Sequence, residues 1–236
     1  MAERPVLLIT GASSGIGSET ARHAVAAGYR VALAARRAGP IEELAAELGD
    51  DNAIARTCDV TEWDQVRSLV ETSIAELGSV DAVFANAGFG VEYGLLEDSV
   101  ENWRSMVLTN VYGVGLTIRA TLPHVLERGT GHFVLMSSVA GRRVLAGSMY
   151  SVTKHAVTAL AEALRLEIRD KHRNEAIRVT TIAPGMVDTP FFESIGAPPG
   201  WAMEAEDIAG AVMWALEQPS RVDVSEMLIR PTAQAF

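Results

Sequence analysis

Short apolar runs alternate with stretches of helical periodicity along almost the whole chain. Pro5 opens Val6-Leu7-Leu8-Ile9-Thr10, which is apolar on both faces, as a buried parallel strand requires. Beyond a glycine-rich turn, a helical pattern runs from Ser18 to Ala27 and leads into a second strand, Arg30–Ala35. The alternation continues with a helix over Ile41–Leu48, a strand over Ala53–Thr57, and a helix over Glu62–Leu77 with Thr61 as its N-cap. A strand over Asp81–Ala85 then precedes a long helical segment, Val100–Glu127, whose middle Gly113 and Gly115 loosen. The remaining strands are His132–Met136, Ile177–Ala183 and Met227–Ile229, separated by helices over Tyr150–Asp170 and Glu204–Gln218. Such a pattern predicts an α/β fold: one domain over residues 1–236, a doubly wound parallel sheet flanked by helices on both faces. Ligands of such sheets bind beyond the carboxyl ends of the strands. Thr10, Ala35, Asp59, Asn86 and Ser138 all fall there. Between Pro190 and Trp201 the alternation gives way to Phe, Gly and Pro, which predicts a mobile flap around residues 190–203.

Composition narrows the partners. With 48% hydrophobic residues, the 236-residue chain can bury a sizeable core. A net charge of −10 without a Lys/Arg run argues against nucleic acid and anionic membrane. The lone Cys58 has no disulfide partner, which fits a reducing compartment. No apolar run reaches membrane-spanning length, and the stretch before the first glycine is too short for a signal peptide. A soluble, cytoplasmic protein is expected. The five histidines show no ligand spacing, so no metal site is expected. The four tryptophans read as helix-packing and flap residues, with Trp201 placed to touch substrate as well.

Three groups of residues carry candidate chemistry. The first is Gly11-Ala12-Ser13-Ser14-Gly15-Ile16-Gly17, between a strand and a helix. Glycines let the backbone turn and approach an anion, which unpaired N–H groups and the helix dipole favour. The same letters would serve a tight turn, or a Gly-x-Ser-x-Gly nucleophile elbow on Ser13 if an acid and a histidine followed. The second group closes the next two strands: Arg36-Arg37, following Ala35 at the position where an acidic residue would meet a ribose hydroxyl, and Asp59-Val60. Arginine there accommodates the 2′-phosphate of NADP, whereas the plain alternative is two solvated arginines. Asp59 could accept from adenine or from nearby backbone N–H groups. The third group is Tyr150 with Lys154. Val157, Leu160, Ala161, Leu164 and Ile168 set a helical register that places Lys154 one turn from Tyr150. A neighbouring cation favours the phenolate and lowers a reference pKa of about 10. Tyr150 is thus a candidate general acid and base, with the Ser138 hydroxyl available to a substrate oxygen. The pair would also read as a core-capping phenol beside a solvated lysine. Asn110 is either a core hydrogen-bonder or the holder of a water chain toward a lysine.

Taken in order, Thr10-Gly11-x-x-x-Gly15-Ile16-Gly17, Asp59, Asn86-Ala87-Gly88, Asn110, Ser138, Tyr150-x-x-x-Lys154, Pro184-Gly185 and Thr189 carry a resemblance to a known family. Over essentially its whole length the chain resembles the short-chain dehydrogenase/reductases. The resemblance implies a Rossmann-type fold and an NADP(H)- or NAD(H)-dependent oxidoreductase in which Ser138 orients the substrate oxygen and Tyr150 transfers its proton. It further implies that Lys154 binds the nicotinamide ribose and that Asn110 supports a relay water. Val187 and Thr189 would lie near the carboxamide, and the protein would be a homotetramer or homodimer. Ser138 lies one position nearer Tyr150 than is usual in the family, which leaves Ser137 as the alternative. Ala85 replaces the family's first Asn before Asn86, and the ending Met227–Gln234 resembles NADP-dependent hydroxy-acid or small-ketone reductases. The expectation is an NADP(H)-preferring enzyme acting on a small-molecule carbonyl or alcohol; a redox-sensing binding protein without turnover is the alternative.

Overall fold

A computed structural model describes residues 4–90, 94–194, 196 and 198–235. Among these residues seven strands form one parallel sheet in the order β3-β2-β1-β4-β5-β6-β7. The strands are β1 (Val6–Thr10), β2 (Arg30–Ala35), β3 (Ala53–Thr57), β4 (Ala82–Ala85), β5 (Gly131–Met136), β6 (Ile177–Pro184) and β7 (Glu226–Ile229). The chain moves outward from β1 to β3, then crosses back to place β4 on the other side of β1. That reversal opens a crevice between the loops that leave β1 and β4, and in doubly wound sheets it is where ligands bind.

The strands are apolar throughout because both faces are covered, and alternate residues feed different layers. Leu8, Ala32, Val83, Phe133 and Val179 pack under α3 (Trp63–Leu77), α5 (Val114–Arg128) and α6 (Met149–Asp170). Ile9, Leu33, Phe84, Val134 and Ile182 pack under α1 (Gly15–Ala26), α2 (Ala38–Leu48) and α7 (Ala205–Glu217). The doubly wound architecture read from the sequence is the observed one.

Local departures have physical reasons. Helix α2 starts three residues before the expected Ile41, with Pro40 inside its first turn, where a missing N–H costs no helical bond. Thr61 is not an N-cap: Glu62 holds that position, and the Thr61 hydroxyl donates to Asp59 Oδ1 at 2.8 Å. The long helix is interrupted. After α4 (Val100–Val107) comes a π-helical turn over Leu108–Gly113, and only then α5. Gly113 does not loosen this segment; a Cβ there would lie 2.6 Å from Val60 Cγ2, so glycine permits close packing against the end of β3. The flap expected around residues 190–203 includes positions 195 and 197, which lie outside the described residues. Its described base is tied down: Val187 bridges Met203, Asp188 N donates to Met203 O at 2.7 Å, and Pro190–Ser194 form a 3₁₀ turn. Among the described residues no helix is long and apolar enough to cross a membrane.

Phe84 sits fully buried on the central strand β4. Phe84→Ala should destabilise by about 3–5 kcal/mol, since the cavity cannot collapse between two strands. For a chain of this size that lowers Tm by roughly 6–20 °C in a calorimetric scan.

Candidate active site

The carboxyl ends of the strands surround a cleft of about 620 Å³. Its first wall is the loop after β1. Gly11 and Gly15 have φ of +68° and +55°, a left-handed region that side chains strain to enter. A Cβ on Gly11 would stand 2.8 Å from Ala87 Cα, so the loops after β1 and β4 touch backbone to backbone. Asn86 stitches them. Its Nδ2 donates to the carbonyls of Thr10 and Gly11, both at 3.1 Å, while Thr10 Oγ1 accepts from Asn86 N and Ala87 N at 3.1 and 3.2 Å. Ser13, Ser14, Gly15 and Ile16 then present the start of α1 to the cleft. Gly17 stands behind the cleft wall, where its missing side chain makes room for the Gly11 carbonyl against α1.

The second wall comes from β2 and β3. Arg36, Arg37, Asp59 and Val60 all line the cleft, with Arg37 Nη2 donating to Ser13 Oγ at 3.2 Å. Asp59 Oδ1 accepts from Thr61 N and Oγ1, so this carboxylate is at least partly committed to its own turn. Burial, reinforced by Asp59, pushes the neighbouring Cys58 thiol up to about 11, leaving it protonated at neutral pH.

At the far end, the first turns of α6 reach the cleft. Ser148 caps this helix by accepting from Ser151 N at 3.1 Å. Tyr150 and Lys154 share one face, and the Lys154 ammonium lies 5.5 Å from the Tyr150 ring centroid. Lys154 is not the solvated lysine of the plain reading: it is buried, and Nζ donates to Met136 O at 2.8 Å. Burial pushes its pKa down to about 8, so it is still a cation at pH 7. Gly88 leaves space here, since a Cβ would stand 3.5 Å from that ammonium and 3.1 Å from Asn110 Oδ1.

Asn110 is fully buried, behind the cleft wall rather than on it. Its Oδ1 accepts from Phe89 N, and its Nδ2 donates to Phe89 O and to Thr153 Oγ1 at 2.8 and 3.1 Å. Thr153 Oγ1 in turn donates to the Tyr150 carbonyl at 2.8 Å. The π-helical turn therefore ties the loop after β4 to the turn that carries Tyr150.

The two serines separate by their partners. Ser137 Oγ donates to Lys154 O and meets Thr158 Oγ1, both at 3.1 Å, and belongs to the packing of α6. Ser138 Oγ makes a long bond of 3.3 Å to Pro184 O and is the more easily redirected hydroxyl. Pro184, Gly185, Val187 and Thr189 close the cleft from β6. Gln234, which the motifs did not assign to the site, braces this loop: its Oε1 accepts from Met186 N at 3.0 Å and fills the space beside Gly185. Also unassigned from sequence were Phe89 and Leu145, which line the cleft with Phe191 and Phe192 of the expected flap. Trp201, expected near substrate, is about half exposed and not on the wall. No histidine lines the described wall, so Ser13 has no base there for an elbow mechanism.

The model of the short chain dehydrogenase family matches residues 5–199. An uncharacterized oxidoreductase of Staphylococcus saprophyticus is 35% identical over 230 residues, which span 96% of this chain and 97% of that protein. An alcohol dehydrogenase from the archaeon Thermococcus sibiricus, solved with 5-hydroxy-NADP, superposes with a TM-score of 0.89 at 32% identity over 98% of both chains. A serine dehydrogenase in a closed form with NADP+ gives 0.90 at 29% identity, over 98% of this chain and 96% of its own. A 3-ketoacyl-(acyl-carrier-protein) reductase of Brucella melitensis, at 0.86 and 28% over 98% of this chain and 98% of its own, is complexed with NADH instead. The chain belongs to the short-chain dehydrogenase family of oxidoreductases.

The folded chain holds the Lys154 proton less tightly than the unfolded chain does. Between pH 8 and about 10.5 the unfolded state therefore binds more protons, and stability rises with pH across that window. Relative to Lys154→Met, the cofactor-free wild type should gain up to roughly 3 kcal/mol from pH 8 to 10.5, read by urea unfolding.

Proposed function

We propose that this chain is an NADP(H)-dependent oxidoreductase that interconverts a carbonyl and a secondary alcohol, with Tyr150 as general acid and base. The observation that carries the reading is the buried Lys154 ammonium 5.5 Å from the Tyr150 ring, in a cleft that the glycine loop also lines. The residues fit a dinucleotide. Gly11, Gly15, Gly88 and Gly185 line the cleft, where their missing side chains let its loops close against one another, and the start of α1 offers N–H groups to a pyrophosphate. Arg36 and Arg37, following the neutral Ala35, would take a 2′-phosphate, with Asp59 and Val60 beside the adenine. Val187 and Thr189 would meet the nicotinamide end, near Lys154.

When bound, the reduced cofactor supplies the hydride that adds to the carbonyl carbon. Tyr150 Oη donates a proton to the carbonyl oxygen in reduction and accepts it in oxidation, while the Ser138 hydroxyl turns from Pro184 O to hold that oxygen. Lys154 favours the phenolate form between turnovers. Asn110 acts as a positioning residue through Thr153, which fixes the Tyr150 carbonyl. Homo-oligomer formation, a tetramer or dimer, and a cytoplasmic location belong to the same reading. A redox-sensing binding protein would share the nucleotide contacts but would not need the phenol.

General acid–base catalysis is typically worth about 10²–10⁴ in rate. Tyr150→Phe should lose that much kcat and keep its NADPH affinity by calorimetry; unchanged turnover would remove the phenol from the mechanism. Arg36→Ala should lower the NADPH/NADH ratio of kcat/KM by about tenfold, the value of one charge-assisted contact at the weak end for an exposed site. An unchanged ratio removes the arginine as the source of preference.

A further inference from the structure

Three loops meet on the substrate side of Tyr150, and each brings an apolar side chain to the cleft: Phe89 after β4, Val139 and Leu145 after β5, and Phe191 with Phe192 after β6. These side chains are held in place. Leu145 N donates to Ser151 Oγ at 3.1 Å and its carbonyl accepts from Ser148 N, so the first turn of α6 presents Leu145 to the cleft. Phe191 packs edge-on against Tyr150 with centroids 5.5 Å apart at 60°, and against Phe192 at 5.3 Å and 72°. The far edge of the Phe191 ring occupies the volume that a side chain at position 90 would need: a Cβ on Gly90 would stand 2.6 Å from Phe191 Cζ. Gly90 is therefore the seat of that ring.

A substrate that offers its carbonyl oxygen to Tyr150 must lay one flanking group against this collar. The five side chains of this collar carry no hydrogen-bonding groups, so a polar flank laid against them would lose water without a replacement partner there. An apolar flank gains by burial, and a flat one also completes an edge-to-face stack. Arg143 is also on the wall, but it is exposed, and an ion pair at an exposed site gains little.

We infer that the substrate is a ketone, or its secondary alcohol, with a flat apolar group such as a phenyl ring flanking the carbonyl, and that Phe191 seated on Gly90 determines this specificity. The inference rests on the carbonyl-reductase reading and names its substrate class. It is tested with the NADPH-loaded protein on acetophenone, butanone and pyruvate. Acetophenone should exceed butanone in kcat/KM by about tenfold or more, the scale on which an apolar pocket discriminates. Phe191→Ala should collapse that ratio toward one, and Gly90→Val, which keeps the ring but removes its seat, should do the same. A wild-type ratio near one, a preference for pyruvate, or a ratio unmoved by Phe191→Ala overturns the inference. Calorimetry of 1-phenylethanol and 2-butanol on the Tyr150→Phe protein with NADP+ separates the two readings. Preferential binding of the phenyl compound supports the class whatever the turnover, and equal or weaker binding overturns it. Absence of turnover by wild type on every carbonyl, together with phenyl-selective binding, would instead remove the redox reading.

Discussion

An ammonium buried between the end of β5 and the face of α6 is the constraint around which the rest of the cleft is arranged. Removing Lys154 from water disfavours its charge, and the Met136 carbonyl is the hydrogen-bond partner that the structure provides for it. Burial also leaves the charge less screened by solvent than a surface cation would be. In the proposed mechanism its field acts on the Tyr150 ring, whose centroid lies 5.5 Å away, since a nearby cation favours the ionised form of a phenol. Because burial pushes the lysine down to about 8, the cation persists at neutral pH and fades only in mild alkali.

Holding that pair in register takes hydrogen bonds between the loops around it. Asn86 joins the loops after β1 and β4, and Asn110 joins the loop after β4 to the Tyr150 turn through Thr153. The backbone contacts at Gly11 and the packing of Gly17 under the Gly11 carbonyl make the same point without side chains. The cleft is thus a product of close loop packing, with its glycines required by contact between loops. This division between bracing residues and facing residues accounts for why Gly17 and Asn110 belong to the motifs yet stand off the wall.

Much of this was legible from residue order. The strands are short, doubly buried and set off by clear turn residues, so β2 and β3 fall where the apolar runs place them, and the sheet class follows. Tyr150 and Lys154 were legible because helical spacing fixes their relation locally. What escaped depended on distant packing. Thr61 looks like a cap until Asp59 takes its hydroxyl, and the π-helical turn cannot be told from an α-helix by periodicity over six residues. Gln234 meets Gly185 from nearly fifty residues away, and Phe191 finds its seat on Gly90 across a hundred. Ser137 and Ser138 are neighbours in sequence, and only their hydrogen-bond partners tell them apart.

The most direct test is the pH dependence of kcat/KM in wild type and in Lys154→Arg and Lys154→Met, each saturated with NADPH. If the buried cation tunes the phenol, the limb belonging to proton transfer should shift to higher pH in Lys154→Met and stay closer to wild type in Lys154→Arg, which keeps the charge. A limb at the same pH in wild type and Lys154→Met would show that the ammonium does not act on Tyr150, and the arrangement described above would lose its chemical purpose.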